Sequence, residues 1–264
     1  MPWGVVASAL SVSLLVSGCN TPPKEPEAQW SAERLYSEAK EESSSGNYER
    51  ATKLYERLEG RASGTVLAQQ AQIERAYILY KTGDRTQSLV VLERFLKLHP
   101  TSPAYDYALY MQGVVNFNDN LGLLGNLTRQ DLSERDQQAS RDAYQSFKQL
   151  AERFPTSIYA DDARARMNYI INALATYELH VARYYYRRGA YVAAANRAQQ
   201  VVQEFQQTPA AEEALYLMVQ SYDRLGMSDL RDDASRVLQK NFPSTAFVAQ
   251  GSGGSKPKPW YQLW

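Results

Sequence analysis

Among the 264 residues, the side chains that could act as bases, nucleophiles or metal ligands are two histidines, His99 and His180, one thiol, Cys19, and adjacent carboxylates such as Asp161-Asp162 and Asp232-Asp233. General acid–base chemistry needs two groups converging on one substrate, whereas neighbours along a helix project about 100° apart. The acidic pairs therefore read as helix N-terminal charges or solvated faces. His99 precedes a Pro and His180 lies inside a long helical pattern, so both read as structural. No HExxH, GxxxxGK[ST], GxGxxG or GxSxG is present, and a single Cys makes neither an intramolecular disulfide nor a Cys-based metal site. Lys plus Arg and Asp plus Glu balance at 29 each, so no net field draws the chain to nucleic acid. The reading is of a non-enzymatic protein without metal or cofactor, whose partners are recognised by local surface.

Cys19 has a different chemistry available to it. Val5 to Val16 is an apolar run of the length of a secretory h-region, too short to span a bilayer, and Val16-Ser17-Gly18-Cys19 closes it. This resembles a bacterial lipobox, which makes residues 1–18 a signal peptide and Cys19 the acylated first residue of the mature chain, although Met1 to Gly4 carries no basic residue. By resemblance to lipoprotein sorting, Asn20 directs the protein to the outer membrane. Residues 19–30, with Pro22, Pro23 and Pro26, read as an extended tether, at roughly 3 Å per residue.

The elements that must position any recognition surface are helical. In Ala71–Pro100, measured from Gly83, Ala76 lies seven back, Ser88 five ahead, Leu92 and Phe95 nine and twelve ahead, and Pro100 seventeen ahead. That is the tetratricopeptide spacing: small residues where two antiparallel helices cross, Gly in the turn, Pro as the stop. The same ruler fits turns at Gly46, Gly189 and Gly226, and a further unit with helices at 105–117 and 142–154. Gly60 and Gly64 are expected to end the first unit, a hydroxyl residue to cap each helix that follows a Pro stop, and a helix of almost thirty residues to start near Ala160. About five helix-turn-helix units over 31–250 predict an all-α tetratricopeptide-repeat superhelix. Its insertion at about 121–140 is either a binding loop or a solvated excursion; 251–264, ending KPKPWYQLW, is a linker and an aromatic tail expected to dock.

Tyrosine carries the recognition signal. Tyr36, Tyr48, Tyr77, Tyr80, Tyr107, Tyr110 and Tyr184 to Tyr186 recur on the repeat helices, with two core tyrosines expected for each one that lines a groove. GNYERA at 46–51, RFLKLHPTSP at 94–103, DYALYMQGVVNF at 106–117, FPTSIYADDARARM at 154–167 and above all YELHVARYYYRRGAYVAAANRAQQVV at 177–202 resemble the BamD (ComL-type) family of outer-membrane protein assembly lipoproteins.

The resemblance implies a scaffold in the barrel-assembly machinery, lipid-anchored at the periplasmic face of the outer membrane. Its C-terminal repeats would dock on the POTRA domain of the BamA subunit and on other assembly lipoproteins, and its N-terminal repeats would receive the C-terminal signal of unfolded outer-membrane proteins. Asn196 and Arg197 fall in the motif that meets the POTRA domain; on residues alone, Arg197 pairs equally well with an acidic partner or with a glutamate of its own chain such as Glu204. Tyr80, Lys97 and Tyr107 are candidates for the client groove, Lys97 being otherwise a solvated lysine. A repeat lipoprotein for pilus assembly or cell-wall and division coordination is the alternative.

Overall fold

A computed structural model describes residues 27–117, 137–245 and 247. Cys19, most of the insertion and the 251–264 tail lie outside the described residues. Among those described there are ten α-helices and no strand: α1 (Ala32–Ser44), α2 (Tyr48–Arg61), α3 (Val66–Lys81), α4 (Arg85–Leu98), α5 (Tyr105–Asn116), α6 (Gln137–Arg153), α7 (Ala160–Arg187), α8 (Tyr191–Glu204), α9 (Ala210–Arg224) and α10 (Ser228–Asn241). They form five antiparallel pairs, the tetratricopeptide arrangement that the spacing predicts.

Local chemistry explains the boundaries. Ser31 Oγ accepts from the Arg34 N–H at 3.2 Å and starts α1; Thr65 and Asp84 cap α3 and α4 in the same way. Gly83 turns the chain at φ +89°, a conformation that costs a residue with a Cβ about 1–2 kcal/mol. The small-residue rule has a visible cause at this crossing, where fully buried Ser88 donates from Oγ to the Ala76 carbonyl at 2.8 Å. A larger residue at either position would push α3 and α4 apart.

Four expectations change. Residues 27–29 form a 3-10 turn rather than extended tether, because the Glu27 carboxylate is drawn between Arg50 and Arg57, two turns apart on α2; Trp30 behind it is buried. Gly60 lies inside α2 and the left-handed turn residue is Gly64, φ +83°, since an exposed helical Gly weakens a helix without ending it. Residues 137–140, assigned to the insertion, are the first turn of α6. Ser102 and Ser157 do not cap the helices that follow them; each hydroxyl accepts from the N–H two residues on, and Ala104 and Tyr159 stand at the caps. The long helix is as expected, α7 running for 28 residues with neither Gly nor Pro inside it.

Helices α1 and α3, α3 and α5, and α7 and α9 touch one another, so the odd-numbered helices form the inner side of the superhelix and the even-numbered ones its outside. Two small apolar clusters fill α1–α3 and α3–α5, whereas one continuous cluster runs from Tyr105 on α5 to Leu217 on α9. At the α5–α6 crossing the helices meet so closely that a Cβ on Gly113 would sit 2.5 Å from the Phe147 ring.

Candidate interaction surfaces

On the inner helices, residues three or four apart share one face. This places Tyr36 and Lys40 of α1, Glu74 and Tyr77 of α3, Tyr107 and Tyr110 of α5, and Asp162 and Arg166 of α7 in a continuous row. Tyr159, ahead of α7, joins it: its ring lies 5.3 Å from Tyr107 and stacks at 4.8 Å on Tyr110. The Tyr110 hydroxyl donates to Asp162 Oδ2 at 2.8 Å, and Arg166 Nε donates to the same oxygen at 2.6 Å while its guanidinium covers the Phe117 ring.

The row's two carboxylates have opposite surroundings. Burial would raise the Asp162 pKa, but the bonds from Arg166 and Tyr110 outweigh it and hold the group below the ordinary Asp range. Glu74 is half-buried and its pKa is raised, by desolvation, with only partial relief from the charge of Lys40. Among the described residues its carboxylate has neither a hydrogen bond nor an ion pair. Its charge is felt by the hydroxyls of Tyr36, Tyr55 and Tyr107, of which burial foremost pushes Tyr107 up to about 12.

The three residues expected to share a groove do not meet there. Tyr107 belongs to the row. Tyr80 is half-buried against the α3–α5 cluster. Lys97 is exposed on the outer helix α4, two residues beyond fully buried Phe95 and hence about 200° around from the side that faces the core. Of the nine tyrosines singled out, Tyr36, Tyr48, Tyr80, Tyr107, Tyr110 and Tyr186 pack half-buried against the core clusters, while the tyrosines that are buried outright are Tyr55 and Tyr105. A hydroxyl is costly to bury unpaired, so tyrosines between helices settle at half-depth with the tip outward. The spacing of Tyr36/Lys40 and Tyr107/Tyr110 on inner helices was the available signal for the row; nothing local marked Glu74.

The C-terminal surface is braced across helices. Arg197 Nη1 on α8 donates to Glu178 Oε2 on α7 at 2.9 Å; the Glu178 side chain is 4% exposed and that of Arg197 42%. The intramolecular partner is therefore Glu178 and not Glu204, which stands two turns away along α8, about 10 Å, and is held by Gln200 and Arg141. Only Nη1 of the Arg197 fork is engaged among the described residues, and Asn196 beside it is exposed. Arg183 of α7 holds Glu213 of α9 with both edges, Nε to Oε1 at 2.6 Å and Nη2 to Oε2. No group of His, Cys, Asp and Glu suited to a metal occurs among the described residues, and no described helix is long and apolar enough to cross a membrane.

A family model described as outer membrane lipoprotein (YfiO) matches residues 28–238. The chain is 44% identical over 260 residues, 97% of both chains, to the outer membrane protein assembly factor BamD of Neisseria meningitidis serogroup A. It is 34% identical over 236 residues, 89% of this chain and 90% of the other, to BamD of Haemophilus influenzae. Among solved structures, the TPR domain of P58(IPK) aligns at a TM-score of 0.41 with 12% identity, covering 82% of this chain and 53% of that one.

Proposed function

The chain belongs to the BamD family of outer-membrane lipoproteins, and from that premise we propose that it is a non-catalytic assembly factor for outer-membrane proteins, holding client and machinery on opposite ends of one solenoid. Cys19 carries the lipid anchor at the periplasmic face of the outer membrane. Asn196 and the free edges of Arg197 meet an acidic residue on the POTRA domain of BamA, and further assembly lipoproteins join on the C-terminal repeats. Unfolded clients lie extended along the inner row, where Tyr36, Tyr77, Tyr107 and Tyr110 offer broad ring faces with polar tips.

The observation that carries this reading is the row itself: half-buried and exposed tyrosines on α1, α3 and α5, continuous with Tyr159 and α7, in a chain of an assembly-factor family. Rigid aromatic surface of this kind suits an extended peptide with alternating aromatic residues, because few rotatable bonds are frozen on contact. Photocrosslinkers at Tyr77 and Tyr107 should capture a peptide bearing an outer-membrane C-terminal signal, and one at Lys97 should not. Capture from Lys97 alone would move the client to the outer helices and defeat this reading. For the anchor, Cys19→Ala should release the protein from outer-membrane fractions stripped of its partners.

A further inference from the structure

Among the described residues, the inner row holds one carboxylate with neither a hydrogen bond nor an ion pair. Asp162 has two donors, Glu178 and Glu213 have arginines, and Glu59 has both Arg75 and Arg94. Glu74 has none among the described residues, though it is half-buried, and its charge is felt by the hydroxyls of Tyr36, Tyr55 and Tyr107. Neither lysine of α1 and α3 pairs with it: Lys40 is exposed and acts on Glu74 only through its field, and the Lys81 ammonium lies 4.9 Å over the Tyr48 ring. A partly desolvated carboxylate without a partner costs stability, and a cation brought to it recovers that cost with a charge-assisted bond. Tyrosine faces around it add attraction for the same kind of ligand.

We propose that Glu74 is the specificity residue of the inner groove and that it selects a lysine or arginine side chain in the bound extended chain, placed so that neighbouring aromatic residues of that chain lie against Tyr36, Tyr77 and Tyr107. This rests on the reading of the inner row as the client groove and names what the groove discriminates. It also inverts the expectation built on Lys97: the charge waiting in this part of the groove is negative, so it repels a carboxylate rather than capturing one.

The test uses the full chain and three labelled peptides of alternating aromatic sequence, identical except for Lys, norleucine or Glu at one central position. The Lys peptide should bind the wild type on the order of tenfold more tightly than the norleucine peptide, and the Glu peptide more weakly still. In Glu74→Gln the Lys advantage should vanish while norleucine binding stays within about twofold, and Glu74→Lys should reverse the order. Equal binding of all three peptides by the wild type, or a Lys advantage that survives Glu74→Gln, would overturn the assignment and leave the groove standing. No binding of any peptide would overturn the groove and the assignment together. A marked fall in thermal midpoint for Glu74→Gln would make Glu74 a structural residue and equally count against the proposal.

Discussion

Glu74 and Glu178 are both glutamates on inner helices of the same repeat architecture, yet among the described residues one is left without a partner at half-depth and the other is buried under Arg197. The difference extends to the halves they belong to. Between α7, α8 and α9 charged side chains are consumed in cross-helix braces, Glu178 with Arg197 and Glu213 with Arg183, over a single continuous core. Between α1 and α5 the core is two smaller clusters; Glu59 is braced there by Arg75 and Arg94, but Glu74 on the inner row has no such partner among the described residues. One backbone plan thus carries a carboxylate buried in an ion pair in one half and a carboxylate left at half-depth in the other.

Breaking the brace should have the largest effect. Arg197→Glu faces two carboxylates across the α7–α8 crossing; with Arg197 partly solvated, we expect a loss of about 3 kcal/mol in denaturant unfolding. A variant as stable as the wild type would mean that the C-terminal half is not held in this way. The same coupling bears on the interface: lost co-purification with BamA in Arg197→Glu mixes binding with folding. Arg197→Gln combined with Glu178→Gln removes the buried charge and the guanidinium together, and should lose the partner while keeping most of the stability.

A smaller effect is expected at the start of the continuous core. Gly113→Ala places a methyl 2.5 Å from the fully buried Phe147 ring, which cannot retreat without opening the α5–α6 crossing. Overpacking of about 1–3 kcal/mol exceeds the gain of under about 1 kcal/mol from replacing a helical Gly, so the midpoint should fall. A rise would show that this crossing has room to spare.

Glu74→Gln should be smaller still and of opposite sign, raising stability by under about 1 kcal/mol at neutral pH. The sign of its pH dependence follows from the raised pKa. The folded state holds the Glu74 proton more tightly than the unfolded chain, so its penalty is absent below the ordinary Glu range and grows as pH rises through that range to the folded value. Asp162 runs the other way: its stabilisation is present above the ordinary Asp range and is lost as pH falls through its depressed folded value. The midpoint difference between Glu74→Gln and wild type should therefore be larger at neutral pH than near about pH 4, and thermal scans at both would check it. Lys97→Glu, on the outer face, should change neither stability nor peptide capture measurably; a loss of capture would restore Lys97 to the groove.

Much of the fold could be read from residues alone because its determinants are local. The turn at Gly83, the Ser31 cap, the small pair Ala76 and Ser88, and the uninterrupted run of α7 each depend on neighbours within about a dozen positions. The site was harder to read. Tyr107 falls in the inner row by its inner-helix position, whereas Lys97 lies on the outer helix, turned from the core because proximity to Phe95 in sequence is opposition on a helix. Gly113 has no turn or positive φ to explain it, and only the approach of Phe147 gives it a reason.

The sequence by itself determined a repeat scaffold of five helix pairs, their turns and their phase, since periodicity and capping act over one or two turns. Tertiary structure alone decided which charges are spent and which are left over. Arg197 meets Glu178 across 19 positions, Arg183 meets Glu213 across 30 and Tyr110 meets Asp162 across 52. Each pairing is set by how one helix lies against the next, a relation that no spacing within a helix records, and Glu74 is unpaired for the same reason: among the described residues no cation of a neighbouring helix comes within bonding distance of it.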